Sequence, residues 1–103
     1  MINFEDTIIA CSSPLGSGAI SCIRISGKDC PKIFKKITKK EIKHKKVSIS
    51  EIKLGKGIEE KCVLTSYLFP NSYTGEDTIE ISCHGNPIIV ELIWSFLNDL
   101  GCR

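Results

Sequence analysis

Glu80 is the side chain in this sequence best placed to do chemistry, because it interrupts an alternating run. From Asp77 onward Ile79, Ile81 and Cys83 fall on one side of an extended chain, and Thr78, Glu80 and Ser82 on the other. A carboxylate in mid-strand meets water or a partner, since an unpaired buried charge is costly. A solvated sheet face is the plain alternative. Arg24 is the second candidate. It closes the apolar run that begins at Ala19, and an arginine there buries its stem and aims its fork at a carboxylate or a bound anion. A snorkelling arginine at a sheet edge is the competing reading.

The other reactive groups offer less. Of the six cysteines, Cys11, Cys22 and Cys83 sit inside apolar runs, where a thiol behaves as a small hydrophobe, and the set is expected to be reduced. There is no CxxC pair, and His44 and His84 fit no regular ligand spacing, so no metal site is expected. Cys83 and His84 are adjacent, which in a strand sends them to opposite faces and argues against a catalytic dyad. The Gly16-Ser17-Gly18 loop leads into a strand, Ser21 stands where GxGxxG needs its third glycine, and no Gly-x-x-x-x-Gly-Lys-Ser/Thr occurs. This chain is not expected to bind a nucleoside triphosphate by itself.

The elements that must position these residues follow from pattern. Thr7 to Cys11 and Ala19 to Ile25 read as strands around a loop of turn formers, Ser12 to Gly18. Both parities of the second strand are largely apolar, which predicts a central strand covered on both sides. Ser26 and Asp29 look like a capping pair for a helix over about 28 to 38, with Cys30, Ile33, Phe34 and Ile37 inward. Val47 to Leu54 and Lys61 to Phe69 read as a hairpin turned at Gly55-Lys56-Gly57, followed by the strand from Asp77 to Cys83. Asn86 then caps a helix with Pro87 in its first turn, an apolar stripe of Ile88, Ile89, Leu92, Ile93, Phe96, Leu97 and Leu100, and Gly101 at its end. The order β-β-α-β-β-β-α predicts an α+β fold, a mixed sheet of about five strands with helices on one side.

With 103 residues, 42% hydrophobic and 25% charged, the chain reads as one globular domain spanning residues 1–103. No apolar run approaches a membrane span, and Met1 to Asp6 lacks the basic start of a signal peptide, so a cytoplasmic location is expected. Eight of the fourteen basic residues lie between Lys32 and Lys46, with no arginine and only Phe34 as an aromatic. Such a run is usually a solvated face; contact with a phosphate backbone is the functional alternative.

Two ordered motifs carry a family resemblance. Pro14-Leu15-Gly16-Ser17-Gly18 followed by Ile23-Arg24-Ile25-Ser26-Gly27, together with Asn71-Ser72-Tyr73-Thr74-Gly75-Glu76-Asp77 and Glu80-Ile81-Ser82-Cys83-His84-Gly85, resembles the amino-terminal domain of the tRNA modification GTPase family MnmE, also called TrmE. The resemblance spans nearly the whole chain and is weakest between Lys35 and Lys61. It implies a fold similar to the folate-binding domain of the glycine-cleavage aminomethyltransferase, binding of 5-formyltetrahydrofolate, and a homodimer. Carried over by position, Arg24 and Glu80 match the family's folate-contacting residues. The family's protein continues into a helical domain with an inserted GTPase module that uses GTP with Mg and K ions. It acts with the flavoprotein MnmG, also called GidA, on the wobble uridine of tRNA. On that reading the chain is a non-catalytic fragment of a GTP hydrolase, stopping before a Pro-Gly-Glu-Phe segment and a folate-contacting lysine beyond residue 103. Two rival readings are a free-standing folate-dependent one-carbon transferase, with His84 or Asp77 as its acid or base, and a small RNA-binding module using the lysine run.

Overall fold

A computed structural model describes residues 7–11, 20–55, 57–69 and 75–103. Five strands and two helices follow in the expected order: β1 (Ile8–Cys11), β2 (Ile20–Ser26), α1 (Cys30–Thr38), β3 (Val47–Gly55), β4 (Ile58–Tyr67), β5 (Thr78–His84) and α2 (Pro87–Asp99). The strands form one sheet in the order β1-β2-β5-β4-β3. The fold is α+β as the pattern implies. The sheet, however, is not mixed: all four strand pairings are antiparallel. Helix α1 carries the chain from β2 to the far edge, and the β3-β4 hairpin returns it so that β5 enters between β4 and β2. The loop over 12–18, Ala19, Lys56 and the motif over 70–74 lie outside the described residues.

Alternation sets the core. Ile23 and Ile25 on β2 face the same side as their partners Ile81 and Ile79 on β5, Leu64 on β4 continues the row, and all five are fully buried. Both helices pack on that side, bringing in Cys30, Ile33, Phe34 and Ile37 from α1 and Val90, Ile93 and Leu97 from α2. The other face of the sheet is open. There Ile20 is 68% exposed and Ile49 also 68%, so β2 is a central strand as expected, paired with β1 and β5, but is covered on one side and not on both. The second apolar parity of β2, which argued for double cover, is the open face itself.

The helix ends divide the cap readings. Asn86 accepts from the Ile88 N–H through Oδ1 at 2.8 Å, and Gly101 closes α2 with φ +105°. At α1 the expected cap pair is absent. Asp29 occupies the N-cap without a side-chain bond, its own N–H donates to Thr7 Oγ1 at 3.1 Å, and Ser26 donates its hydroxyl to Glu76 at 2.8 Å. A tertiary partner, Glu76, holds the Ser26 hydroxyl, and another, Thr7, accepts the N–H that Ser26 would have capped. On α2 the stripe also shifts: Val90 is buried, whereas Ile88 is 66% exposed at the first turn.

Candidate functional site

Arg24 and Glu80 meet at the middle of the open face. Their strands place them directly across from each other, with Thr65 of β4 completing the row. The Arg24 guanidinium donates through Nη2 to Glu80 Oε1 at 2.8 Å, with side chains 37% and 23% exposed. A pair this open to water contributes at most about 1 kcal/mol to stability. Arg24 Nε is buried and has no hydrogen-bond partner. A half-open ion pair with an unused donor can exchange its internal bond for bonds to a ligand.

His84 lies on the same face four residues along β5, and a residue outside the expected strand holds it. Glu60, 5% exposed, accepts from the His84 backbone N–H at 2.8 Å and lies 2.7 Å from His84 Nδ1, both through Oε2. For the Glu60 carboxylate to accept this contact, Nδ1 must carry the hydrogen. A strand beginning at Lys61 hides this residue. Beginning at Ile58, β4 puts Glu60 on the buried parity with Cys62 and Leu64, and a glutamate on a core parity is the signal that could have found it.

The remaining candidates are occupied structurally. Asp77 accepts the Phe69 N–H through Oδ1 at 2.9 Å, and its carbonyl accepts from the Gly27 N–H, so it bridges two connections. His44 accepts the Leu68 N–H through Nδ1 at 2.9 Å. Cys83 points into the core and His84 away from it, as their adjacency implies. Burial pushes the thiols of Cys30 and Cys62 up to about 12 and those of Cys83 and Cys102 to about 11. At neutral pH these are apolar fillers and not nucleophiles. Among the described residues no group of three or more His, Cys, Asp or Glu could hold a metal ion, and no helix is long and apolar enough to cross a membrane.

The lysine run forms a separate surface. Lys40, Lys43 and Lys46 line a cleft of about 390 Å³, and Lys36, Lys39 and Lys53 line another of about 260 Å³. Glu41 pairs with Lys35 at 2.8 Å and raises that amine's pKa, chiefly through the hydrogen bond. Neither cleft adjoins Arg24 or Glu80 in its lining.

Comparison with known proteins gives a consistent family. Residues 7–103 match the model of a family described as GTP-binding protein TrmE N-terminus. The tRNA modification GTPase MnmE of Francisella philomiragia subsp. philomiragia is 40% identical over 99 residues, covering 96% of this chain and 22% of the relative. Proteins of the same name from Francisella tularensis subsp. holarctica and subsp. novicida are 39% identical over the same span and shares. The chain thus spans about a fifth of the length of these relatives.

Proposed function

This chain belongs to the GTP-binding protein TrmE N-terminus family, and from that premise we propose that it is the folate-binding and homodimerisation domain of a tRNA modification GTPase. The observation that carries the reading is the Arg24–Glu80 pair at the centre of an open sheet face, with a buried donor unused. A pterin presents an exocyclic amino group beside a ring N–H, and a carboxylate accepts both in parallel. Glu80 is the acceptor for that pair. Releasing Glu80 frees the Arg24 fork, including Nε, for oxygens of the same ligand. The residues present therefore fit a reduced folate such as 5-formyltetrahydrofolate, which supplies a one-carbon unit when bound. This chain's own work is to hold and orient it.

The wider assignments rest on the relatives and on the edges of the fold. Val47 and Ile49 stand 60% and 68% exposed on β3, an edge strand, and apolar side chains beside an open edge favour closed two-fold pairing with a second copy. GTP hydrolysis with Mg and K ions belongs to a module elsewhere in the parent protein, for which this chain has no phosphate loop. Action on the wobble uridine of tRNA together with the flavoprotein MnmG, in the cytoplasm, completes the proposal. Calorimetric titration of 5-formyltetrahydrofolate into the chain tests its centre: saturable binding that Glu80→Gln weakens is expected, and equal affinity in both forms would sink the assignment. Sedimentation equilibrium at tens of micromolar tests the dimer, and a single monomeric species would overturn it.

A further inference from the structure

We propose that the end of α1 and the adjoining stretch of β3 form a docking surface for the phosphate backbone of a folded RNA, on the side of the sheet away from Arg24 and Glu80. RNA as the partner rests on the tRNA part of the function proposed above, and nothing here depends on the folate site. Helix α1 ends on β3, where the Ser50 hydroxyl donates to the Ile37 carbonyl at 3.2 Å. The two lysine clefts flank that contact on the helix side of the sheet, one reaching β3 at Ser48 and the other at Ile52. Four residues of strand separate those positions by about 13 Å.

Lys35 and Lys36, in the last turn of α1, have an ordinary role, since cations there offset the partial negative charge of the helix end. Lys40, Lys43 and Lys46 lie beyond the helix, and that role does not account for them. The connection that carries them is pinned. The Lys40 N–H donates to Thr38 Oγ1 at 3.1 Å, the Lys45 N–H to the Ser66 carbonyl at 2.7 Å, and the Ser66 N–H returns a bond to the Lys46 carbonyl at 3.3 Å. Lys39 and Lys45 have φ of 64° and 54°, left-handed positions where glycine or asparagine costs less. Lysine at both places charge on this surface at a conformational cost, as functional surfaces do.

The neighbouring acids leave a positive surplus. Each cleft is lined by three lysines and one glutamate; Glu41, in the first, pairs with Lys35 at 2.8 Å, and Glu51, in the second, stands across from Lys61. Glu59 stands across from Lys53, and Asp99 lies three residues beyond Phe96 on α2, so the second cleft is the weaker. Among the described residues no carboxylate lies within ion-pair distance of Lys40, Lys43 or Lys46. Lysines hold phosphates as point charges and read no bases, so the contact is independent of sequence. Phe34 and Phe96, the aromatics of the two linings, are packed in or against the core, which leaves no stacking platform for a single strand. A membrane calls for an apolar wedge, and that of α1 is buried against the sheet. A folded RNA instead presents phosphates at fixed spacing to basic groups on a rigid surface. Because the sheet lies between, RNA held here is anchored at a distance from the Arg24–Glu80 pair.

The test is the fluorescence anisotropy of a fluorescein-labelled RNA hairpin, with a stem of about 16 base pairs and arbitrary sequence, titrated with the chain over a range of salt. Lys43→Gln with Lys46→Gln is expected to weaken binding about tenfold at low salt and to flatten the salt dependence by about two units of slope. Lys36→Gln, in the second cleft, should flatten it by about one, and Lys28→Gln, at the other end of α1, by none. These lysines are all exposed, so unchanged thermal melts are expected and mark the losses as lost contacts. No binding by the parent chain, or the same loss per lysine at all these positions, overturns the surface. So do polyglutamate binding as tightly as the hairpin, phosphatidylserine vesicles binding in its place, and a fall in RNA affinity when 5-formyltetrahydrofolate is added, which would put both on one face. If the full-length protein binds tRNA and its Lys43→Gln, Lys46→Gln form binds it equally, the tRNA reading stands and this surface alone falls.

Discussion

The two faces of the sheet are made by the same strands, often by adjacent residues, and they solve opposite problems. On the helix side Ile23, Ile25, Leu64, Ile79 and Ile81 lose all contact with water, and the energy lies in shape and area. On the open side the same strands hold Arg24, Glu80, Ser82 and His84 among exposed aliphatics, and little stability is at stake. A face that does not hold the fold together is free to carry a ligand site. Changes on the closed face should therefore appear in stability, and changes on the open face in binding.

The largest expected effect is on the closed face. Phe34 is fully enclosed between α1 and the sheet, and Phe34→Ala should cost about 3–5 kcal/mol in a denaturant melt. A loss below about 1 kcal/mol would mean that α1 is not part of the cooperative core. Next comes alkaline pH. The thiols of Cys30 and Cys62 are raised from 9.0 to about 12 and those of Cys83 and Cys102 to about 11, so the folded chain holds protons that the unfolded chain releases. Stability from this source is complete below pH 9 and is lost as pH rises from there through the folded values. Melting temperatures flat up to pH 9 and falling toward pH 11 are expected, and unchanged melts across that window would contradict the burial of these thiols.

On the open face Glu80→Gln should cost about 1.5–3 kcal/mol of affinity for 5-formyltetrahydrofolate while moving stability by less than about 1 kcal/mol. The reverse pattern would erase the distinction between the faces. Asn86→Ala removes the bond to the Ile88 N–H and should cost about 1 kcal/mol, read in the same melts. The smallest effect on stability, within about 0.5 kcal/mol, is expected from replacing Lys35, Lys36, Lys39 and Lys40 together with Gln. If the proposed function holds, a full-length protein carrying these replacements should bind tRNA less well at low salt, and an unchanged affinity in a filter-binding assay would return the run to a solvated face.

The closed face was legible in the sequence because burial writes itself as periodicity. Ile79, Ile81 and Cys83 on one parity of β5, and Cys30, Ile33, Phe34 and Ile37 at helical spacing, are all in the core. The meeting of Arg24 and Glu80 was legible only as two separate motifs, since register between β2 and β5 depends on a chain path that runs through α1 and a hairpin. Capping by Ser26 failed because Thr7, remote in sequence, supplies the acceptor for the Asp29 N–H. Glu60 was hidden by a boundary placed three residues late, which moved a core-facing carboxylate outside its strand. The sense of the sheet was misjudged because alternation fixes faces and says nothing of direction.

Arg103 has a practical side. Its N–H donates to the Thr7 carbonyl at 2.9 Å and its own carbonyl accepts from the Ile9 N–H at 2.8 Å, so one residue bonds to two positions flanking Ile8. That is the bonding of a parallel ladder, laid on the outer edge of β1. Anything spliced directly after Arg103, whether an affinity handle or a fluorescent reporter, leaves along that edge and not into open solvent. A handle rich in β-branched residues would be drawn into the sheet and hidden from its resin. A glycine-serine spacer, with little tendency to form strands, would carry it clear.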